Sequence, residues 1–385
     1  MEMVLEFLRD VLSQPALLIG IMSCIGLIAL KRPFHKVMTG TLKPILGYLM
    51  LAAGAGVIVN NLDPLGKMIE HGFHITGVVP NNEAIVAVAQ KVLGVETMSI
   101  LVVGLLMNLC IARFTKFKYV FLTGHHSLFM ACLMSAVLGT AGLSGMELIL
   151  IGGFLMGAWS AISPAIGQSY TSKVTDGDEI AIGHFGSLGY YLSAWVAKYV
   201  GKADDSTEDI EIPEKWGFLR DSTLSTALTM IVFYLIAAFA AGSEFVATLS
   251  GDMSPYLYAV MSAMNFAVGV TIVYSGVRMI LGDLIPAFQG IATKIIPNAI
   301  PAVDCAVFFT YAPTAVVLGF ISSFIGGIIG MLILGAVGGV LIIPGLVPHF
   351  FCGATAGIYG NATGGRRGAA VGAFLNGLAI TFLPA

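Results

Sequence analysis

Long apolar runs alternate with short polar punctuation along the chain. Apolar runs at residues 15–30, 41–59, 98–114, 119–139 and 146–166 precede a hydrophilic stretch, and runs at 223–245, 255–274, 302–325, 328–347 and 368–385 come after it. A helix needs about 20 apolar residues to cross hydrocarbon, so the pattern predicts an all-α polytopic membrane protein of about ten spans. Residues 81–94, 182–200, 286–300 and 349–360 are too short, or too rich in Gly and Pro, for simple crossings. They read as re-entrant or broken helices, a form of backbone tolerated at membrane depth only inside protein or beside a cavity. Residues 1–14 open on an acid and repeat apolar side chains at Met3, Val4, Phe7, Leu8, Val11 and Leu12. That helical stripe fits an interfacial helix rather than a signal peptide, which would begin with bases.

The stretch 202–220 carries Asp204, Asp205, Glu208, Asp209, Glu211 and Glu214 and belongs in water. It divides the chain into residues 1–201 and 221–385. Lys31, Arg32, Lys36 and Lys43 come after the first run. By the positive-inside rule their loop is cytoplasmic and the chain starts outside. A second cluster, Arg113, Lys116 and Lys118, and the bases Lys198, Lys202, Lys215 and Arg220 place the acidic loop inside as well. Pro80-Asn81-Asn82-Glu83 in the first half is patterned like Pro313-Thr314-Ala315-Val316 in the second, and Gly124-His125-His126 like Gly345 with Pro348-His349. With one half starting outside and the other inside, the repeat is inverted, an arrangement that points to a transporter with its site near the midplane.

Composition narrows the class. Hydrophobic residues make up 57% of the chain and charged ones 11%, at a net charge of −3, against about 45–50% and 25% in soluble domains. Mean hydropathy is +0.90. Without a basic excess no nucleic-acid partner is expected. Cys24, Cys110, Cys132, Cys305 and Cys352 lie in apolar stretches without C-x-x-C spacing and read as buried hydrophobes.

Ionisable side chains inside apolar runs are costly and mark candidate chemistry. Asp304 lies in Ile300-Pro301-Ala302-Val303-Asp304-Cys305, with no base between Lys294 and Arg366. A carboxylate there accepts from two sugar hydroxyls; the structural alternatives are a helix cap or a pair with Arg278. His125 and His126 stand beside Ser127, Leu128 and Phe129 after Gly124, and a neutral imidazole donates on one nitrogen and accepts on the other. The pair lacks a third ligand at metal spacing, so no metal site is expected. His184 and Phe185 come after the acidic stretch 176–179, which reads as a solvated turn capping a helix over 183–198. Phe185 offers an apolar platform for a sugar ring. Glu83, beside Asn82, opens a short helix, where the dipole favours a carboxylate whether or not it binds a ligand. Gly364-Gly365-Arg366-Arg367-Gly368 reads as a positive cytoplasmic turn rather than a phosphate loop. No catalytic triad or paired-carboxylate signature stands out, and no cofactor is expected.

Several segments, in order, resemble the ascorbate-type membrane component (enzyme IIC) of the bacterial phosphoenolpyruvate-dependent phosphotransferase system. They are Leu122-Thr123-Gly124-His125, Val174-Thr175-Asp176-Gly177 with Ile182-Gly183-His184, Gly276-Val277-Arg278-Met279, Ala302-Val303-Asp304-Cys305-Ala306 and Ile342-Ile343-Pro344-Gly345. The resemblance implies a homodimeric permease of the inner membrane, built from inverted repeats. It implies that a sugar passes from the periplasm and is phosphorylated by a separate IIB subunit, and that the chain is itself no enzyme. It places ligand contacts at Asn82, Glu83, His125 to Phe129, His184, Phe185 and Asp304. Glu83 stands where ascorbate binders of the family have Tyr, and Phe129 and Phe185 where they have Gln. With Glu83 and Asp304 both ionised, the site would repel the ascorbate monoanion by about 1 kcal/mol per charge pair at 4 Å in water, and more in a poorer dielectric. Either one of these carboxyls is protonated or paired, or the substrate is a neutral sugar or polyol. The chain stops at Pro384-Ala385, inside an apolar run where the family continues through one more span, so either the sequence is cut short or that C-terminal helix is missing. The readings that compete with this are a proton-coupled secondary sugar transporter using Glu83 and Asp304, and an intramembrane enzyme using the two His-bearing breaks.

Overall fold

The computed structural model describes residues 10–11, 14–74, 82–177, 179–210 and 222–385. The expected interfacial helix falls almost wholly outside the described residues. Helices dominate: α1 (Pro15–Ala29), α2 (Phe34–Gly72), α3 (Asn82–Phe114), α4 (Gly124–Thr140), α5 (Gly145–Thr175), α6 (Ser187–Val200), α7 (Ser222–Ala241), α8 (Ser243–Ser250), α9 (Pro255–Lys294), α10 (Pro313–Ala336) and α11 (Ala354–Phe382). Among the described residues, five helical stretches are long and apolar enough to cross a membrane. A sixth is added if α7 and α8, bent by 117° at Gly242, count as one broken span. The chain is a helical, multi-pass membrane protein.

Three expected runs are interrupted. The run at 119–139 begins as strand β1 (Tyr119–Phe121) and becomes helical only at Gly124. The run at 302–325 is strand β3 (Ile300–Val303), a 3-10 turn (Cys305–Thr310) and then α10. The run at 328–347 ends its helix at Ala336, and Gly338 then takes a φ of +72°. Hydropathy is blind to the second and third breaks, because they coincide with Pro301, Pro313 and Gly338, which deny the helix a donor or reverse the backbone. The helix expected from residue 183 starts at Ser187 instead. Asp176, with φ of +52°, closes α5 rather than capping α6, and strand β2 (Ala181–Ile182) intervenes. The apolar residues at 81–94 and 98–114 are one helix, α3, broken at Leu93.

The chain divides into two compact units. The first comprises Met1–Leu49, Asn81–Leu188 and Arg278–Val307. Its core joins Ile100 and Leu101 of α3, Met130 and Ala131 of α4, and Leu148 and Met156 of α5. α3 and α5 cross closely: a Cβ on Gly157 would lie 2.7 Å from the Gly104 carbonyl oxygen. Small residues at such a crossing let backbones approach where lipid supplies no hydrophobic drive between helices. Leu106, Leu150 and Phe154 of the same helices are exposed, as expected of faces turned to acyl chains. Cys110 is exposed with them and Cys24 is half-buried, whereas Cys132 and Cys305 are buried as expected.

The same unit holds a three-stranded parallel sheet, in the order β1-β3-β2. Such a sheet must satisfy its outer backbone groups. On the β1 side, the Asn108 side chain of α3 donates to the Tyr119 carbonyl at 3.0 Å and accepts from the Phe121 amide at 3.0 Å. On the β2 side, Gln168 of α5 donates to the Ile180 carbonyl at 3.1 Å. Two side-chain amides thus stand in for neighbouring strands.

The second unit comprises Met50–Pro80, Gly189–Val277 and Phe308–Ala385. Part of the acidic stretch is docked here rather than free. Glu208 accepts from the Thr314 amide at 3.1 Å and the Ala315 amide at 3.2 Å, capping the start of α10. Arg366 pairs with Asp205 at 3.2 Å and donates to the Ser206 carbonyl at 3.1 Å. The glycine-arginine sequence is therefore a break inside α11, at Gly365, and Arg366 is a structural clasp rather than part of an open turn. His349, buried in a π-helical turn (His349–Gly353), bonds the Ser323 hydroxyl at 2.9 Å.

Candidate functional site

The three strands run parallel, so their carboxyl ends lie on one side, the place where open parallel sheets gather ligand-binding groups. The pairing Phe121 with Ala302, and Ile182 with Val303, continues through Leu122 N–H to the Ala302 carbonyl at 2.9 Å and Gly183 N–H to the Val303 carbonyl at 2.7 Å. Extending that register brings Thr123, Asp304 and Gly183 level at the strand ends. Asp304 directly succeeds β3, His184 succeeds Gly183, and His126 sits in the first turn of α4 just after Thr123.

This layout converges the polar side chains. One ligand-type atom from each of His126, His184 and Asp304 lies within 4.8 Å of the others. All are buried, Asp304 with 8% of its surface exposed. The His126 and His184 rings are 4.1 Å apart at 65°. Phe185 and Phe129 stand nearly perpendicular to His126, with centroids at 5.1 and 6.0 Å. A carboxylate and two imidazoles are thus grouped against two aromatic rings.

The proton on His184 is fixed by its neighbour. The Gly186 amide donates to Nδ1 at 2.9 Å, so a neutral ring carries its hydrogen on Nε2 and donates there. That arrangement opposes a metal reading of the cluster, although Asp304 supplies the third ligand that the sequence lacked. A cation needs a free imidazole lone pair, and on His184 one nitrogen is bonded and the other protonated. What the group offers is directional hydrogen bonding: an acceptor carboxylate, a donor imidazole and an apolar wall.

Other expected residues fall differently. Ser127 is buried and its hydroxyl turns back to the Thr123 carbonyl at 3.3 Å. Leu128 packs into the α3–α4–α5 core. His125 lies in the first turn of α4 and Asn82 and Glu83 open α3; their side chains lie outside the described residues. Arg278 is exposed while Asp304 is buried, which removes the expected alternative of a salt bridge between them. Sequence reasoning passed over Tyr48 of α2, buried and within electrostatic range of Asp304; nothing in an apolar run distinguishes such a tyrosine. It also passed over Asn108 and Gln168, although a lone amide in a membrane run is a legible signal.

Gly183 is required for the strand ends to meet. A Cβ there would lie 2.7 Å from the Ala302 carbonyl oxygen and 2.9 Å from its carbon. These are backbone atoms of the central strand and cannot yield. Gly183→Ala is expected to cost about 1–3 kcal/mol of stability, read as a lowered thermal transition of the detergent-solubilised protein; an unchanged transition would show that the strand ends tolerate separation.

The fold and cluster define a multi-pass helical membrane protein with a polar site enclosed in its first unit. Residues 10–385 match the EIIC-GAT family, the sugar-specific permease component of the PTS system. The chain belongs to that family. It is similar to the ascorbate-specific PTS system EIIC component of Mycoplasma pneumoniae, at 28% identity over 424 aligned residues that cover 94% of this chain. The chain spans 63% of that relative's length.

Proposed function

We propose that the chain is the membrane permease of a phosphotransferase system, carrying ascorbate or a related sugar or polyol across the inner membrane while a separate IIB subunit phosphorylates it. The observation that carries this reading is the buried cluster of His126, His184 and Asp304 in a chain of the permease family. Asp304 accepts from substrate hydroxyls, the His184 Nε2–H donates to a substrate oxygen, and Phe185 and Phe129 flank the sugar. Asn82, Glu83 and the His125 to Phe129 run complete the proposed contacts. The similarity to an ascorbate-specific relative supports ascorbate. The carboxylates and the two phenylalanines support a neutral sugar or polyol.

The finer architecture belongs to the same reading. It has about ten spans, counting the broken elements, in inverted repeats over residues 1–201 and 221–385. The hydrophilic loop 202–220 lies in the cytoplasm, and the permease is a homodimer embedded in lipid.

The coupling is testable directly. In vesicles loaded with phosphoenolpyruvate and the soluble phosphotransferase proteins, the chain is expected to accumulate sugar phosphate only when a IIB subunit is included. Concentration of unmodified sugar without IIB, driven by a pH gradient, would contradict the proposal and favour proton coupling.

A further inference from the structure

Thr123 joins β1 to α4, with 2% of its surface exposed, and its hydroxyl meets no hydrogen-bond partner among the described residues. Buried polar groups are nearly always paired, so an orphan calls for a water or a ligand. The local backbone does not use this hydroxyl. The Thr123 carbonyl accepts from the Ser127 amide at 3.0 Å and the Ser127 hydroxyl at 3.3 Å, while Thr123 Oγ1 is left over. Its position is informative. Oγ1 lies 3.2 Å from the point where a Cβ on Gly183 would stand, one residue before His184. Extending the register two residues beyond its last pair, Phe121 with Ala302, sets Thr123 level with Asp304.

We infer that Thr123 is a further substrate-contacting residue, whose hydroxyl bonds a ligand hydroxyl next to the one held by Asp304. The inference rests on the sugar-binding reading above and adds a substrate requirement to it. The Asp304 carboxylate only accepts and the His184 Nε2–H only donates, whereas a threonine hydroxyl does both. Two such groups side by side match vicinal hydroxyls, with one on the carboxylate and its neighbour on Thr123. The ligand class is therefore a polyhydroxylated molecule with adjacent hydroxyl groups.

The test is calorimetric binding of L-ascorbate and of xylitol to the purified full chain, as wild type, Thr123→Val, Thr123→Ser, Asp304→Asn and Ser135→Ala. Thr123→Val keeps the branched shape and removes the hydroxyl. It is expected to weaken the better ligand roughly tenfold, while Thr123→Ser stays within about threefold of wild type. Because the hydroxyl has no partner among the described residues, Thr123→Val should leave the ligand-free melting temperature unchanged or raise it. Ser135→Ala provides the contrast, since Ser135 bonds Thr97 at 2.7 Å and the Cys132 carbonyl at 2.9 Å. It should lower the melting temperature and leave affinity alone. Wild-type affinity in Thr123→Val, or a fall in its melting temperature matching that of Ser135→Ala, overturns the inference. If Asp304→Asn also binds like wild type, the sugar-site reading falls with it; if Asp304→Asn binds weakly, only the role of Thr123 is lost.

Discussion

Asp304→Asn is expected to lower affinity for the carried sugar roughly 100-fold while the protein folds normally. Two charge-assisted hydrogen bonds to substrate hydroxyls contribute about 1.5–3 kcal/mol each, and their neutral replacements about 0.5–1.5. The difference, about 2–3 kcal/mol for two bonds, corresponds to a factor of roughly 30 to 150. Asparagine keeps the planar shape but turns one oxygen into a donor, so one of the two hydroxyls must reverse its bond. Stability should hold, because removing a charge from a position with 8% exposure relieves a desolvation cost. Binding calorimetry beside a thermal melt separates the two effects. An affinity equal to wild type in a well-folded variant would remove Asp304 from the site, and the cluster would then be a structural hydrogen-bond group.

The second large effect is expected at a residue that touches no substrate. Asn108 pairs with both the Tyr119 carbonyl and the Phe121 amide on the outer edge of β1, and only 1% of its surface is exposed. Asn108→Ala orphans two buried backbone groups, each costing about 1–3 kcal/mol. The variant is expected to lose several degrees of melting temperature, and to bind sugar weakly because β1 leads into Thr123 and His126. Asn108→Asp should fall between the two: it still accepts from Phe121 but no longer donates to Tyr119. A melting temperature within about a degree of wild type for Asn108→Ala would mean that β1 is held by its pairing with β3 alone.

Much of the chemistry was legible from single residues. Asp304, His126 and His184 stand out because ionisable groups in apolar runs are expensive, and the structure gathers all three. Asp176 and the acidic turn are less legible, because a helix end and a helix start share the same polar residues until the backbone angles are known. Ser127 and Leu128 group with their neighbours by adjacency, yet a helix turns successive residues about 100° apart. One bonds backbone and the other packs in the core. The metal question also turned on structure. The sequence lacked a third ligand, the fold supplied one, and the Gly186 amide then disqualified His184 as a ligand by occupying its lone pair.

By itself the sequence determined that this is a multi-pass helical membrane protein, since its solvent preference is written in runs of apolar residues that need no partner to be read. It also marked which side chains are costly to place in lipid. Only the tertiary structure decided that those side chains converge. They meet because three segments of two to four residues, at 119–121, 181–182 and 300–303, pair as parallel strands. Strands so short have no periodicity to reveal them, and their pairing is a contact between segments more than a hundred residues apart, held at its edges by Asn108 and Gln168.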